Sequence, residues 1–125
     1  MNTTFKSLGV SQELAEALSA RGIDEPFAIQ TLTISDALAG RDVCGKAKTG
    51  SGKTLAFGLP VLQLIAKAKP NRPTGLVLVP TRELATQVRD ELIPLADAVG
   101  LTVSAIYGGD PVEKQVKALQ RGVDL

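Results

Sequence analysis

The residues best suited to chemistry in this sequence form one run, Ala47-Lys48-Thr49-Gly50-Ser51-Gly52-Lys53-Thr54. Its glycines let the backbone curl tightly, so that successive N–H groups converge on an anion such as phosphate. A helix predicted to start near Lys53 adds the positive end of its dipole to the same spot. Lys53 reaches the β and γ phosphates of a nucleotide as a mobile point charge, and the Thr54 hydroxyl is placed to coordinate Mg²⁺. Lys53 and Thr54 are therefore the candidate catalytic residues. Lys48, Thr49, Gly50, Ser51, Gly52, Lys53 and Thr54 form the candidate nucleotide cradle. Ala47 stands where the general P-loop pattern has its first glycine, so that pattern is met incompletely. The plainer alternative is a glycine-rich turn with a solvated lysine. The strand and helix patterns on either side of the run favour the cradle.

Upstream lies Gly22-Ile23-Asp24-Glu25-Pro26-Phe27-Ala28-Ile29-Gln30. A glutamine amide offers a donor and an acceptor side by side, which matches the N6 and N7 edge of adenine and mismatches guanine. Pro26 would fix the start of the helix that presents Gln30. Phe5, far upstream, offers an aromatic surface that could pack near the base. Taken alone, Gln30 reads as a surface helix residue and Phe5 as a core anchor for the N-terminal segment.

A third group is Pro80-Thr81-Arg82-Glu83, at the start of another predicted helix. Thr81 caps the helix, Arg82 carries a fork of donors, and the first turn leaves backbone N–H groups free. Together they make a grip for the phosphates of a nucleic-acid backbone. Gly109, lacking a side chain, lets another backbone approach closely. The alternative is an ordinary helix start with a solvated arginine. Lys114, Lys117 and Arg121, and likewise Lys67, Lys69 and Arg72, read as solvated faces.

The elements that must position these groups follow from pattern. Ser11 caps a short helix carrying Leu14, Ala15 and Leu18, closed by Gly22. A second helix opens at Pro26 and runs to Gly40. Residues 42–45 predict a short strand, in which Cys44 is a small core residue. Residues 53–68 are apolar nearly all round and predict a covered helix kinked at Pro60. A polar loop follows over residues 67–74. Residues 75–79 form an unbroken apolar run, the mark of a strand buried on both faces. Thr81 starts an amphipathic helix with the stripe Leu84, Val88, Leu92, Leu95 and Val99. Residues 101–106 read as a third strand, Val112, Val116 and Leu119 mark a last helix, and residues 123–125 begin a fourth strand. Strands alternating with helices predict an α/β fold, a parallel sheet with helices on both faces. The whole reads as one domain, a helical segment over residues 1–40 leading into a phosphate-loop core over residues 41–125. The bare start of a fourth strand predicts that the chain is truncated at Leu125.

Composition sets outer bounds. The 125 residues are 44% hydrophobic and 22% charged, a globular balance. Fourteen basic against thirteen acidic side chains leave a net charge of +1, so nucleic acid would be held by a few placed groups and not by bulk charge. One cysteine and no histidine exclude an internal disulfide, a histidine triad and a structural zinc site within these residues. No apolar run reaches the length of a signal core or a membrane span, which gives a soluble, cytoplasmic protein as the expectation.

Four of these stretches, in this order, carry a resemblance. Phe5 followed by Gly22-Ile23-x-x-Pro26-x-x-Ile29-Gln30 resembles the Q motif of DEAD-box RNA helicases, with its separated upstream aromatic. The run from Ala47 to Thr54 is similar to that family's phosphate loop, which begins with alanine. Pro80-Thr81-Arg82-Glu83-Leu84-Ala85 is similar to its motif Ia, and Gly108-Gly109 to its paired glycines. Ile34-Ser35 departs from the family, whose members often carry proline after the isoleucine. The resemblance implies a RecA-like P-loop lobe, with ATP and Mg²⁺ as ligands. It places Phe5, Pro26 and Gln30 at the base and Lys48 to Thr54 at the phosphates. It also puts Pro80, Thr81, Arg82, Glu83 and Gly109 on an RNA backbone, independent of sequence. The implied function is ATP-dependent RNA unwinding or remodelling. The acidic motif and second lobe of the family lie beyond these residues, so the chain alone is expected to be inactive in hydrolysis. The alternatives are a non-catalytic nucleotide- or RNA-binding fragment, or a P-loop helicase acting on DNA.

Overall fold

The computed structural model describes residues 2–125. The chain divides into two compact units, Met1–Leu64 and Ile65–Leu125. The division falls inside the stretch that pattern alone assigns to a single core.

The first unit holds a single 3-10 turn at Lys6–Leu8 and three helices, α1 (Gln12–Ser19), α2 (Ala28–Leu38) and α3 (Lys53–Leu64). The Ser11 hydroxyl accepts from the Leu14 amide and starts α1. Gly22, at φ +74°, turns the chain beyond its end. Leu14 and Leu18 lie four residues apart on one face, and both are fully buried. α2 packs against α3, with Ile34 buried on one helix and Leu55, Leu59 and Leu62 on the other. The N-terminal segment is fastened by side chains. The Ser11 amide donates to Gln63 Oε1 and Gln63 Nε2 donates to the Gly9 carbonyl, both at 2.9 Å. The Ser35 hydroxyl donates to the Leu8 carbonyl at 2.9 Å, a bond that a proline at this position would lack the hydroxyl to make. These bonds hold the buried Phe5 in place.

Several expectations need correction. α2 begins at Ala28, two residues later than Pro26, with Phe27 as its N-cap residue. α3 ends at Leu64 and not at residue 68. Beyond it the backbone bonds elsewhere, the Ala68 amide donating to the Asp124 carboxylate and the Ala66 carbonyl accepting from the Thr74 hydroxyl. Cys44 is exposed instead of buried. A strand is buried by its neighbours, and among the described residues no segment pairs with residues 42–45.

The second unit contains α4 (Arg82–Ala98) and α5 (Val112–Arg121). Val88, Leu92 and Leu95 of the predicted α4 stripe are buried. The three predicted strands of this unit are extended segments, and no strand ladder forms among the described residues. Pieces of one are present. The Leu125 amide donates to the Thr102 carbonyl at 3.1 Å and the Ser104 amide donates to the Leu125 carbonyl at 3.0 Å, the slanted pairing of parallel neighbours. On the other side, the Thr74 and Gly75 amides donate to the Asp124 carbonyl at 3.0 and 2.9 Å. Residues 124–125 thus lie between two other segments, parallel to the one at residues 102–104. Asp124, 1% exposed, reinforces the junction. Its carboxylate accepts from the Ala68 amide and, at 2.7 Å, from the Thr102 amide.

Residues 75–79 are not buried on both faces. Val77 and Val79 are half-buried, and the cleft that residues 75–79 line also holds Ala85, Val88 and Leu92 of α4. Leu76 and Leu78 remain 78% and 84% exposed. Alternate side chains of an extended segment point to opposite faces, so one helix covers only one set.

Candidate nucleotide and nucleic-acid sites

The phosphate loop and Gln30 both belong to the first unit. Gly50 and Gly52 take left-handed conformations, φ +82° and +84°, which lets the chain double back before α3. A Cβ built on Gly50 meets nothing within 4 Å, so the loop is open on that side. The Ser51 amide donates to the Lys48 carbonyl at 3.2 Å and the Ser51 hydroxyl donates to the same oxygen, closing the turn. The helical ladder opens with the Ala56 amide donating to the Gly52 carbonyl at 3.2 Å. The amides of Lys53, Thr54 and Leu55 precede that bond and donate to no group among the described residues. Free donors at a helix start are suited to an anion. Lys53 is exposed and Thr54 half-buried beside it, and Lys53 forms no ion pair among the described residues. A pyrophosphate fits this set of donors. The Thr54 hydroxyl is an oxygen ligand of the kind Mg²⁺ takes.

Gln30 is 1% exposed and not on the surface. Its Oε1 accepts from the Phe27 amide at 2.8 Å and its Nε2 donates to the Gly52 carbonyl at 3.0 Å. The side chain therefore caps α2 and, with the same amide, holds the last glycine of the loop. Both functions of the amide proposed for adenine are engaged within the protein in this arrangement. Pro26 lies in the segment just before α2, and Phe5 is buried. The aromatic that stands beside the loop is Phe27, 59% exposed, whose Cδ2 lies 2.7 Å from a Cβ built on Gly52. Sequence reading passed over Phe27. The only signal was its place between Pro26 and Gln30.

In the second unit, the Thr81 hydroxyl accepts from the Leu84 amide at 3.1 Å and caps α4 as predicted. Arg82 and Glu83 follow, exposed, with Arg82 Nε 3.5 Å from Glu83 Oε1. Pro80 precedes them on the surface. Gly109, φ +89°, comes up against this group, and a Cβ built on it would lie 2.9 Å from Arg82 Nη1. The left-handed backbone favours glycine there, whereas the exposed Arg82 guanidinium could swing aside from a Cβ. An open cleft of about 450 Å³ is lined by Arg82, Glu83, Thr86 and Tyr107. The fold thus brings together two stretches that lie far apart in sequence. Among the described residues no cluster of three or more metal-ligating side chains forms, and no helix is long and apolar enough to cross a membrane.

The family model for the DEAD/DEAH box helicases matches residues 27–125. The chain belongs to that family. The pre-mRNA-processing ATP-dependent RNA helicase PRP5 of Phaeosphaeria nodorum is 41% identical over 124 residues, which cover 96% of this chain and 10% of the relative. The DEAD-box ATP-dependent RNA helicase 9, mitochondrial, of Arabidopsis thaliana is 46% identical over 94% of this chain and 20% of its own length. The crystal structure of the RNA helicase Prp28 from Chaetomium thermophilum bound to ADP aligns with a TM-score of 0.86 at 41% identity, covering 96% of this chain and 30% of that one. A DEAD box protein from the hyperthermophile Methanococcus jannaschii gives a TM-score of 0.88 at 32% identity, over 99% of this chain and 34% of that one. The DEAD/DEAH box chain therefore spans between a tenth and about a third of the length of these relatives. Its fold class is the α/β RecA-like lobe of those structures.

Proposed function

We propose that this chain supplies the ATP grip and part of the RNA-backbone grip of an ATP-dependent RNA helicase. The observation that carries the reading is the phosphate loop of the first unit, with its free amides over Lys53 to Leu55 and its last glycine held by Gln30. Two named relatives are ATP-dependent RNA helicases, and one similar structure contains ADP. In this reading the loop amides and Lys53 receive the phosphates, and Thr54 supplies one ligand to Mg²⁺. A magnesium ion held there by Thr54 would supply positive charge against the phosphates. Gln30, Pro26 and Phe5 serve the adenine end, which asks Gln30 to exchange its bonds to Phe27 and Gly52 for bonds to the base. Pro80, Thr81, Arg82, Glu83 and Gly109 hold RNA through sugar and phosphate, so binding is independent of sequence.

The test is a titration with fluorescent ATP and GTP in the presence of Mg²⁺. ATP is expected to bind at least tenfold more tightly than GTP, and Lys53→Ala to weaken ATP by tenfold or more. Equal binding of the two nucleotides would remove the adenine assignment to Gln30. Unchanged binding by Lys53→Ala would remove the phosphate site itself.

A further inference from the structure

Residues 107–110, Tyr107-Gly108-Gly109-Asp110, bring Gly109 to Arg82. Two consecutive glycines do not hold a shape by themselves, because glycine loses more backbone freedom on ordering than any other residue. The restraint comes from Gln115, near the start of α5. Its Oε1 accepts from the Tyr107 amide at 3.1 Å. Its Nε2 donates to the Tyr107 carbonyl and to the Asp110 carbonyl, each at 3.1 Å. One carboxamide thus satisfies both backbone groups of Tyr107 and spans the glycine pair to Asp110. Only an amide side chain meets this demand, since a carboxylate accepts only and an aliphatic chain does neither. Among the described residues the Gly108 and Gly109 amides donate no backbone hydrogen bond. They face no competing partner and, with the Arg82 guanidinium, make a set of donors suited to one phosphate.

We propose that Gln115 is a positioning residue for the RNA-backbone site, fixing the turn of residues 107–110 so that its free amides and the Arg82 guanidinium meet the same phosphate. The proposal rests on the reading of Arg82 and Gly109 as RNA contacts. No motif in the sequence marks Gln115, and its role follows from three bonds made across the turn.

The experiment measures fluorescence anisotropy of a labelled single-stranded RNA of mixed sequence titrated with the 125-residue chain. The variants are Arg82→Ala, Gln115→Ala, Gln115→Glu and the double variant Arg82→Ala with Gln115→Ala. Hydrogen exchange at the Tyr107 amide and a thermal melt accompany each titration. Gln115→Ala is expected to weaken RNA binding about fivefold to tenfold, the size of one or two lost net hydrogen bonds, and to expose the Tyr107 amide to exchange. Gln115→Glu, similar in size, is expected to bind no better than Gln115→Ala, since a carboxylate would face two carbonyl oxygens. It is the variant to rely on if Gln115→Ala melts markedly early. In the Arg82→Ala background the Gln115→Ala change is expected to cost less than about twofold more, because its effect runs through the phosphate shared with Arg82. If the chain binds RNA no better than Arg82→Ala does, the RNA assignment of Arg82 falls. If binding depends on Arg82 but Gln115→Ala stays within twofold of the parent, the positioning role is overturned. Fully additive losses in the double variant overturn it as well.

Discussion

Replacing Gly52 with alanine tests whether Gln30 and the phosphate loop are mechanically joined. Gly52 sits at φ +84°, where a Cβ costs roughly 1–2 kcal/mol from local sterics alone. That Cβ would also lie 2.7 Å from Phe27 Cδ2 and closer still to Gln30 Nε2. Gln30 is 1% exposed, so its amide has no water to turn to when displaced. It would lose the 3.0 Å bond to Gly52 and strain the 2.8 Å bond from Phe27. A buried polar group left unpaired costs about 1–3 kcal/mol. Gly52→Ala is therefore expected to destabilise the folded chain by roughly 2–5 kcal/mol, the sum of these two terms. Gln30→Ala alone is expected to cost about 1–3 kcal/mol, because the Phe27 amide loses its acceptor. In the double variant the collision with Gln30 no longer exists, and the backbone strain of the introduced alanine and its contact with Phe27 are added to the loss of Gln30. The two changes should therefore fall short of additivity by about 1–3 kcal/mol. Urea unfolding followed by circular dichroism supplies all four stabilities. Additivity within about 0.5 kcal/mol would show that the two residues do not interact, and the tie between α2 and the loop would have to be abandoned.

Two further outcomes follow from the second unit. Asp124→Ala removes the acceptor of the Ala68 and Thr102 amides at a site 1% exposed, and is expected to lower stability by about 2–4 kcal/mol in the same unfolding assay. A loss below about 1 kcal/mol would mean that those amides find other partners. Arg82→Ala, if it removes one phosphate contact, should weaken binding equally for unrelated single-stranded RNA sequences. It should also flatten the slope of log affinity against log salt by about 0.7. An unchanged slope would take Arg82 off the phosphate backbone.

The sequence carried its information locally. Gly50, Gly52, Lys53 and Thr54 read as a cradle because each residue type answers a need at its own position, and the structure places them at the start of α3. Ser11 and Thr81 read as caps for the same reason, and both accept from the amide three residues on. The stripe at Val88, Leu92 and Leu95 follows helix periodicity and is buried. The burial of strands was less legible. An unbroken apolar run over residues 75–79 shows that the segment avoids water, but not which neighbours exist to cover it. Leu76, Leu78 and Cys44 are exposed as a result.

What the sequence determined by itself is the set of donors and acceptors each candidate site offers, which depends on residue type and spacing over a few residues. What only the tertiary structure decided is which of those pieces meet. Gln30 reaches across 22 residues to Gly52, Gly109 comes against Arg82, and Gln115 clasps the turn that carries Gly109 there. These are side-chain amides and backbone groups with several possible partners each, so spacing alone leaves them open. For Gln30, 1% exposed, burial settles the choice, because a polar group taken out of water must pair with whatever donor or acceptor the packing brings within about 3 Å.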